Sequence, residues 1–134
     1  MSGSLPGIRC GIGDYTARLG SELARRPGLS IRILTSASER VRLDAAMPAE
    51  VAPEAKWGLR DLPGLLRRVR QFAPDIVHIQ YPAVGYDSRL GIVFLPLAAR
   101  LLGRLPTVLT IHERRERSRA ARFAINFTDS TLGF

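Results

Sequence analysis

Three short apolar runs constrain the fold of this chain more than any other feature. They are Leu29–Ser36, Asp75–Pro82 and Pro106–Glu113, which read LSIRILTS, DIVHIQYP and PTVLTIHE. Each run is rich in β-branched residues and ends in polar or aromatic ones. Near-continuous apolar runs of this length indicate strands of a parallel sheet that is covered on both faces. Because ligands of open parallel sheets bind beyond the carboxyl ends of the strands, the polar ends mark the expected site.

Helical patterns separate and flank these runs. Apolar residues recur at helical spacing in Asp14–Arg26, Asp61–Phe72, Leu90–Leu102 and Glu113–Phe127. Strands that alternate with helices form right-handed βαβ units, and 134 residues are enough for one domain and one core. We therefore expect residues 1–134 to form a single Rossmann-like α/β domain, with a parallel sheet and helices on both faces.

Two parts of the pattern are irregular. In residues 36–58 we expect either a short strand at Val41–Leu43 or a brief extended piece within the proline-containing Ala45–Ala55. At the amino end, a glycine turn opens the first helix but only MSGSL precedes it. A turn of this kind normally follows the central strand of the sheet. The first strand is thus expected to be missing, which would leave a gap in the middle of the sheet.

Charge and cysteine content limit the partners. The net charge is +8, and Arg114–Arg122 holds five Arg against one Glu. Such a cluster suits nucleic acid or anionic lipid, but it is also typical of a solvated helix face in an Arg-rich chain. The single cysteine, Cys10, cannot form an intramolecular disulfide, which fits a reducing compartment. No apolar leader is visible, so we expect a cytoplasmic protein.

The glycines before the first helix are the first candidate site. The segment Gly7–Gly13 reads GIRCGIG, and backbone amides at a helix N-terminus bind anions such as phosphate. As a dinucleotide fingerprint the segment is incomplete, because Thr16 stands where the third glycine belongs. A plain tight turn therefore remains the other interpretation.

The second candidate site lies at the strand ends. His112 and Glu113 follow the last apolar run, where a histidine can donate to a phosphate or move a proton. Gln80 and Tyr81, with Tyr86 in the loop behind them, suit a sugar or another polyol. His78 falls within its strand and is expected to be structural. Two separated histidines and one cysteine give no metal-ligand set at usable spacing, so no metal site is expected.

Taken in order, GIGDYTARLGSELARR, SIRILTS, PDIVHIQYP and PTVLTIHE resemble the amino-terminal half of GT-B glycosyltransferases. The resemblance is to the retaining family 4, also called group 1, and covers about residues 5–125. By this resemblance Gly11, Ile12 and Gly13 face the donor phosphates, and His112 contacts the donor sugar or its phosphate and is the catalytic candidate. The acceptor side then falls to Gln80, Tyr81, Tyr86 and Glu113.

The resemblance also implies a reaction, and it implies that this chain cannot carry out the reaction alone. Family members transfer a sugar from a nucleoside-diphosphate sugar to an acceptor hydroxyl with retention, and need no further cofactor. They hold most of the nucleotide in a second domain with a Glu-x7-Glu pair, which this sequence lacks. We therefore expect a fragment, truncated at both ends, that is inactive alone. The acceptor would be a glycan, a lipid or a small molecule.

Two alternatives to an enzyme half stay open, and so does one membrane contact of an enzyme half. The chain could be a stand-alone domain that binds a phosphorylated ligand without chemistry. It could be a basic module that binds nucleic acid, although the block of arginines has few aromatic residues and no nucleic acid is expected. Finally, Arg114, Arg115, Arg117 and Arg119 could bring an enzyme half to the inner face of a membrane as a peripheral contact.

Overall fold

The computed structural model describes residues 1–7, 9–36, 49–81, 86 and 90–112. Their elements, in chain order, are α1 (Gly11–Ala24), β1 (Arg32–Ser36), β2 (Glu50–Ala55), α2 (Leu62–Phe72), β3 (Val77–Tyr81), α3 (Gly91–Gly103) and β4 (Thr107–Ile111). A single 3₁₀ turn, Leu59–Asp61, leads into α2. The alternation of strands and helices agrees with the sequence prediction. Val41–Leu43 and the predicted helix Glu113–Phe127 lie outside the described residues.

All strand pairings in the described part of the chain are parallel. β1 pairs with β2, where Ile33 lies opposite Val51, and β3 pairs with β4, where Ile79 lies opposite Leu109. The two pairs are joined by Ser2, which forms one parallel bridge to each. The order across the sheet is therefore β2, β1, Met1–Ser2, β3, β4. This arrangement confirms the predicted Rossmann-like α/β class.

The central position of the sheet is occupied by two residues. The backbone N–H of Ser2 donates to the Leu34 carbonyl at 3.1 Å, and the N–H of Gln80 donates to the Met1 carbonyl at 2.9 Å. The amino group of Met1 donates to the carbonyl of His78. Met1 and Ser2 are too few to show the alternating pattern of a strand. For this reason the sequence suggested that the central strand position is empty. The gap expected there is closed only at the carboxyl end of the sheet.

Hydrophobic cores cover both faces of the sheet, because successive strand residues point to opposite sides. Ile33 faces α1, where it is buried with Leu5 and Ala49. Leu34 faces the other side and joins a larger cluster with α2 and α3. The buried residues contributed by those two helices are Leu65, Leu66, Val69, Ile92, Val93, Leu95 and Ala99. Helices therefore pack on both faces, as the sequence predicted.

The segment between β1 and α2 differs from the sequence prediction for a physical reason. β2 is a six-residue strand rather than a brief extended piece in a loop. Its proline, Pro53, is tolerated because β2 pairs on one side only in the part of the chain described here, and because the register shifts at this point. Trp57, which follows β2, is fully buried, and its indole N–H donates to the Ser36 hydroxyl at 2.7 Å. None of the described helices is long and apolar enough to cross a membrane.

Candidate functional site

The first helix begins earlier than the sequence predicted. α1 starts at Gly11 rather than Asp14, so the glycines form its first turn instead of a turn before it. Cys10 is extended, and its carbonyl accepts the N–H of Gly13 at 2.9 Å. The first N–H groups of a helix have no intrahelical carbonyl to bond to. The N–H groups of Gly11 and Ile12 therefore stand at the start of the helix, whereas the N–H of Gly13 is bonded to the Cys10 carbonyl.

The two glycines of this turn differ in the space around them. Gly13 is buried, and a Cβ there would lie 3.1 Å from the backbone carbon of Leu5. Its lack of a side chain therefore serves close packing of the helix on the preceding loop. Gly11 is exposed, and a Cβ there would meet no atom within 4 Å. Of the predicted phosphate-binding residues, Gly11 and Ile12 present helix-end amides, Gly11 also has open space beside it, and Gly13 has a packing role.

Buried hydroxyl groups fix the start of α1 to the sheet. Ser36, the last residue of β1, donates to the Gly3 carbonyl at 2.7 Å and thereby holds the loop that follows Ser2. The Ser2 hydroxyl donates to the Ser4 carbonyl at 2.8 Å. Thr16 reaches the Ser2 hydroxyl at 3.2 Å from within α1. Loop, strand end and helix are thus held in one arrangement at the carboxyl edge of the sheet.

A row of polar side chains lies on the α1 face of β3 and β4. Nε2 of His112 lies 2.8 Å from Oε1 of Gln80, and Nε2 of Gln80 lies 3.0 Å from Nε2 of His78. Nε2 of His78 also lies 2.7 Å from the Thr110 hydroxyl. We call these four residues the polar row. It runs from the interior of the sheet to its carboxyl edge.

The polar row selects one tautomer for each histidine. In this orientation of the Gln80 amide, its N–H donates to His78, so Nε2 of His78 is an acceptor and the proton is on Nδ1. The carbonyl oxygen of Gln80 accepts from Nε2 of His112. Nδ1 of His112 therefore remains as the nitrogen that can accept a proton or, once protonated, donate to an anion.

His112 lies beside the first helix. Its ring contacts Tyr15 edge to face, with ring centroids 5.0 Å apart, and its backbone N–H donates to the Tyr81 carbonyl at 2.8 Å. Tyr15 follows Gly11 by four residues, which is about one helical turn. The histidine at the end of β4 is thus brought against α1, one turn after the residue whose amide begins the helix.

Burial shifts two basic groups at the centre of the sheet. It lowers the pKa of the Met1 amino group to about 5. The pKa of His78 is lowered by burial first, and then by the nearby Met1 amino group and His112. Both groups are therefore neutral at physiological pH, in agreement with the acceptor role of His78 and with its predicted structural character.

Comparison with known families now decides the relationship of the chain. A family model described as "Glycosyl transferase 4-like domain" matches residues 10–132. The chain belongs to this glycosyl transferase 4-like family. The match bears out the resemblance stated from the four sequence segments, at the level of the family. No curated protein and no solved structure matches the chain.

The two tyrosines that the sequence assigned to the acceptor side, Tyr81 and Tyr86, differ in how deeply they are buried. Tyr86 is 2% exposed, with its ring against Trp57 at 4.8 Å, so it is a core residue and not the surface residue of the rim that the sequence suggested. Burial raises its pKa. Tyr81 is half-buried at the end of β3 and stacks on Tyr86 at 6.2 Å. Of these two tyrosines, Tyr81 is the one that keeps a partly open position in this glycosyl transferase 4-like domain.

The sequence did not reveal two residues near the site, and some residues that it assigned to the site are buried or lie outside the described part of the chain. Thr110 was read only as part of a strand, yet it lies two residues before His112 and so shares its face of the sheet. Tyr15 falls within the predicted first helix, and no sequence signal pairs it with β4. Gln80 is 2% exposed and bonded at both ends, so it supports the histidines. Glu113 and the Arg114–Arg122 cluster lie outside the described residues.

Proposed function

We propose that this chain supplies the amino-terminal, acceptor-side half of a GT-B glycosyltransferase. Its reaction is transfer of a sugar from a nucleoside-diphosphate sugar to an acceptor hydroxyl, with retention at the anomeric carbon. One observation carries the proposal beyond membership of the family. His112 is held by Gln80 and packs against Tyr15 of α1, one helical turn after Gly11, and the amides of Gly11 and Ile12 head that helix.

These groups suit the charge that develops in the reaction. The departing nucleoside diphosphate gains negative charge, which helix-end amides and the positive end of the helix dipole stabilise. His112 uses Nε2 to bond Gln80, so its Nδ1 is the atom that would donate to a phosphate oxygen. In this proposal these groups stabilise the charge without a metal ion, and no cofactor takes part.

The acceptor lies on the other side of the proposed cleft. Tyr81 is its contact in the described part of the chain, and Glu113 is the contact expected next to His112. The arginines of Arg114–Arg122 would bring the chain to an anionic membrane surface if the acceptor is a lipid. In the GT-B arrangement a second domain holds most of the nucleotide. We therefore expect this chain alone to bind a nucleoside diphosphate weakly and to transfer no sugar.

The test is a titration of the isotope-labelled chain with uridine diphosphate, guanosine diphosphate and inorganic pyrophosphate, followed by NMR. The proposal predicts saturable shifts at the amides of Gly11 and Ile12 and at the ring of His112, with dissociation constants of about 1 mM. The variant His112→Ala should weaken all three interactions. Shifts confined to other surfaces, or none with any of the three anions, would contradict the proposal.

A domain that binds a phosphorylated ligand without chemistry uses the same edge and needs a separate test. The chain is mixed with the separately expressed donor-binding half of an intact family member, and transfer of radiolabelled sugar is measured. Transfer by the mixture, but by neither half alone, supports the enzyme half. Diphosphate binding without transfer in any mixture favours the binding domain. Transfer by the chain alone would overturn its expected inactivity.

A further inference from the structure

The outward side of α3 is apolar along its length. Leu90, Phe94, Leu97 and Leu101 follow one another at spacings of four, three and four residues, which places them on one stripe of the helix. All four are at least partly open to solvent, and Leu101 is 70% exposed. The buried residues of α3 lie on the opposite side, in the core cluster. A helix at the surface of a domain normally turns polar residues outward, so this stripe indicates an interaction surface.

The neighbouring helix α2 turns arginines to the same side of the molecule. Both helices bury residues in one core cluster and so cover the same face of the sheet. Arg67, Arg68 and Arg70 are exposed on α2, and Arg60 is exposed in the 3₁₀ turn before it. The sequence of α2 contains no acidic residue, and the one charged residue in the sequence of α3 is Arg100. This side of the domain therefore carries positive charge.

The helix on the opposite face of the sheet has a mixed surface instead. Along α1, the exposed residues Asp14, Arg18 and Glu22 follow one another at four-residue spacing. Arg25, directly after α1, forms an ion pair with Glu22. The absence of acidic residues is thus a property of α2 and α3, and the Arg-rich composition of the whole chain does not account for it.

The apolar and basic parts of this surface meet where α3 begins. A Cβ at Gly91, the first residue of α3, would lie 2.4 Å from the carbonyl oxygens of Trp57 and Gly58. The 3₁₀ turn that follows Gly58 therefore lies against the start of α3. In this turn Leu59 is 50% exposed, and Arg60 beside it is also exposed. Exposed leucine and arginine side chains thus adjoin each other. We call the surface formed by residues 59–72 and 90–104 the α2–α3 face.

Charge and shape together select the partner of the α2–α3 face. Arginines alone would suit nucleic acid, but a nucleic-acid backbone offers no apolar surface to a stripe of leucines. A second copy of the chain, joined through this face, would set arginines against arginines, since neither helix supplies a carboxylate. The surface of an anionic membrane matches both parts, because its headgroups attract the arginines and its interface accepts apolar side chains that project from a helix.

We propose that the α2–α3 face binds the surface of a membrane that contains anionic lipid. The two helices lie along the headgroups, with the arginines at the phosphates and Leu59, Phe94, Leu97 and Leu101 turned toward the acyl chains. This inference goes beyond the proposed function, because such binding needs neither the start of α1 nor a donor. It is also a different contact from the one considered for the Arg114–Arg122 cluster.

The test is sedimentation of the full chain with vesicles made of equal parts of phosphatidylcholine and phosphatidylglycerol, and with vesicles of phosphatidylcholine alone. We expect the partition coefficient to be at least about tenfold higher for the anionic vesicles. The double variant Arg60→Glu/Arg67→Glu should lower binding to these vesicles at least about tenfold. The matched control is Arg18→Glu/Arg26→Glu, which makes the same change of net charge on the α1 side and should lower binding by less than about threefold.

Two further variants test the apolar stripe. Leu101→Gln should weaken binding to the anionic vesicles about threefold to tenfold, whereas Leu29→Gln, at an exposed position between α1 and β1, should change it by less than about twofold. In Leu101→Trp, the fluorescence of the new indole should shift to shorter wavelength when anionic vesicles are added. Equal thermal midpoints check that these substitutions at exposed positions leave the fold unchanged.

Four results would overturn the proposal. The chain could bind neither kind of vesicle, or both equally. The α1 control could weaken binding as much as Arg60→Glu/Arg67→Glu does. Binding could be lost only when Arg114, Arg115, Arg117 and Arg119 are replaced by glutamate, which would move the contact to that segment. Lastly, tighter binding to single-stranded DNA than to vesicles, unchanged by Leu101→Gln, would assign the α2–α3 face to nucleic acid.

Discussion

At the scale of single residues, Gln80 connects the interior of the sheet to its edge. Its amide bonds His78 at one end and His112 at the other, and the residue is buried. The sequence identified both Gln80 and His112 by their position at strand ends. It placed Gln80 on the acceptor side, because an exposed rim amide and a buried bridging amide look alike in sequence. Tyr86 was misplaced for the same reason, since only tertiary packing buries it.

Replacing Gln80 tests this connection. Gln80→Leu removes the acceptor of His112 Nε2 and the donor to His78, so we expect His112 to lose its preference for the Nε2–H tautomer. We also expect the free energy of unfolding to fall by about 1–3 kcal/mol, because buried polar groups lose their partners. Long-range ¹⁵N–¹H NMR of the histidine rings and urea unfolding measure the two effects. Gln71→Leu, at an exposed position of α2, is the control, and an unchanged His112 tautomer would refute the assignment.

The buried amino group of Met1 predicts a pH dependence. Its pKa is about 5 in the folded chain against an ordinary value of 8.0, so between these values the unfolded state binds more protons. His78, with its pKa lowered from 6.5, acts in the same direction at lower pH. The free energy of unfolding should therefore fall, by roughly 2–4 kcal/mol, as the pH decreases from 8 to 5.

Acetylation of the amino terminus separates the Met1 contribution from the rest. The acetylated nitrogen cannot be protonated but keeps an N–H for the His78 carbonyl. Urea unfolding of both forms at pH 8 and pH 5 should show a clearly smaller loss for the acetylated chain. An equal loss in both forms would assign the pH dependence to other groups.

At the scale of elements, the sequence predicted the strands that have strong apolar patterns. It did not predict the full edge strand β2 or the start of α1. β4, Thr107–Ile111, lies within the predicted run Pro106–Glu113, because that run combines β-branched residues with a preceding proline. β2 was missed as a full strand because its proline, Pro53, opposes strand formation everywhere except at an edge. α1 was started too late, because glycines read as a turn although a helix N-terminus also accepts them.

The start of α3 depends on a glycine whose role the sequence did not reveal. A Cβ at Gly91 would overlap the backbone carbonyl oxygens of Trp57 and Gly58. Gly91→Ala must therefore push α3 away from the 3₁₀ turn, and we expect a loss of about 2–4 kcal/mol in the free energy of unfolding. Gly64→Ala is the matched control, since a Cβ at that helical glycine meets nothing within 4 Å and Ala favours the helix. Equal stability of the two variants would contradict the close approach.

At the scale of the whole molecule, a two-residue central segment joins two pairs of strands and carries the first helix with it. The sequence predicted the parallel class and the edge at which a ligand binds, because both follow from strand patterns. It could not predict that Met1 and Ser2 would join the sheet, since that depends on the edges that β1 and β3 present. The candidate phosphate site depends on this junction, because the loop from Gly3 to Cys10 sets the start of α1.

The most direct test of the central claim compares two substitutions at one position. Gly11 is the first residue of α1, where proline is tolerated, and Cys10 before it is extended as proline requires. Gly11→Pro removes the helix-end N–H, whereas Gly11→Ala keeps it and fills the same open space. Binding of uridine diphosphate to both variants is measured by NMR titration.

The account predicts that Gly11→Pro weakens uridine diphosphate binding about tenfold or more, because a hydrogen bond to a charged phosphate is lost. Gly11→Ala should bind within about twofold of the unchanged chain, and both variants should unfold at similar urea concentrations. Equal affinity of the proline and alanine variants would contradict the claim that the start of α1 holds the donor diphosphate.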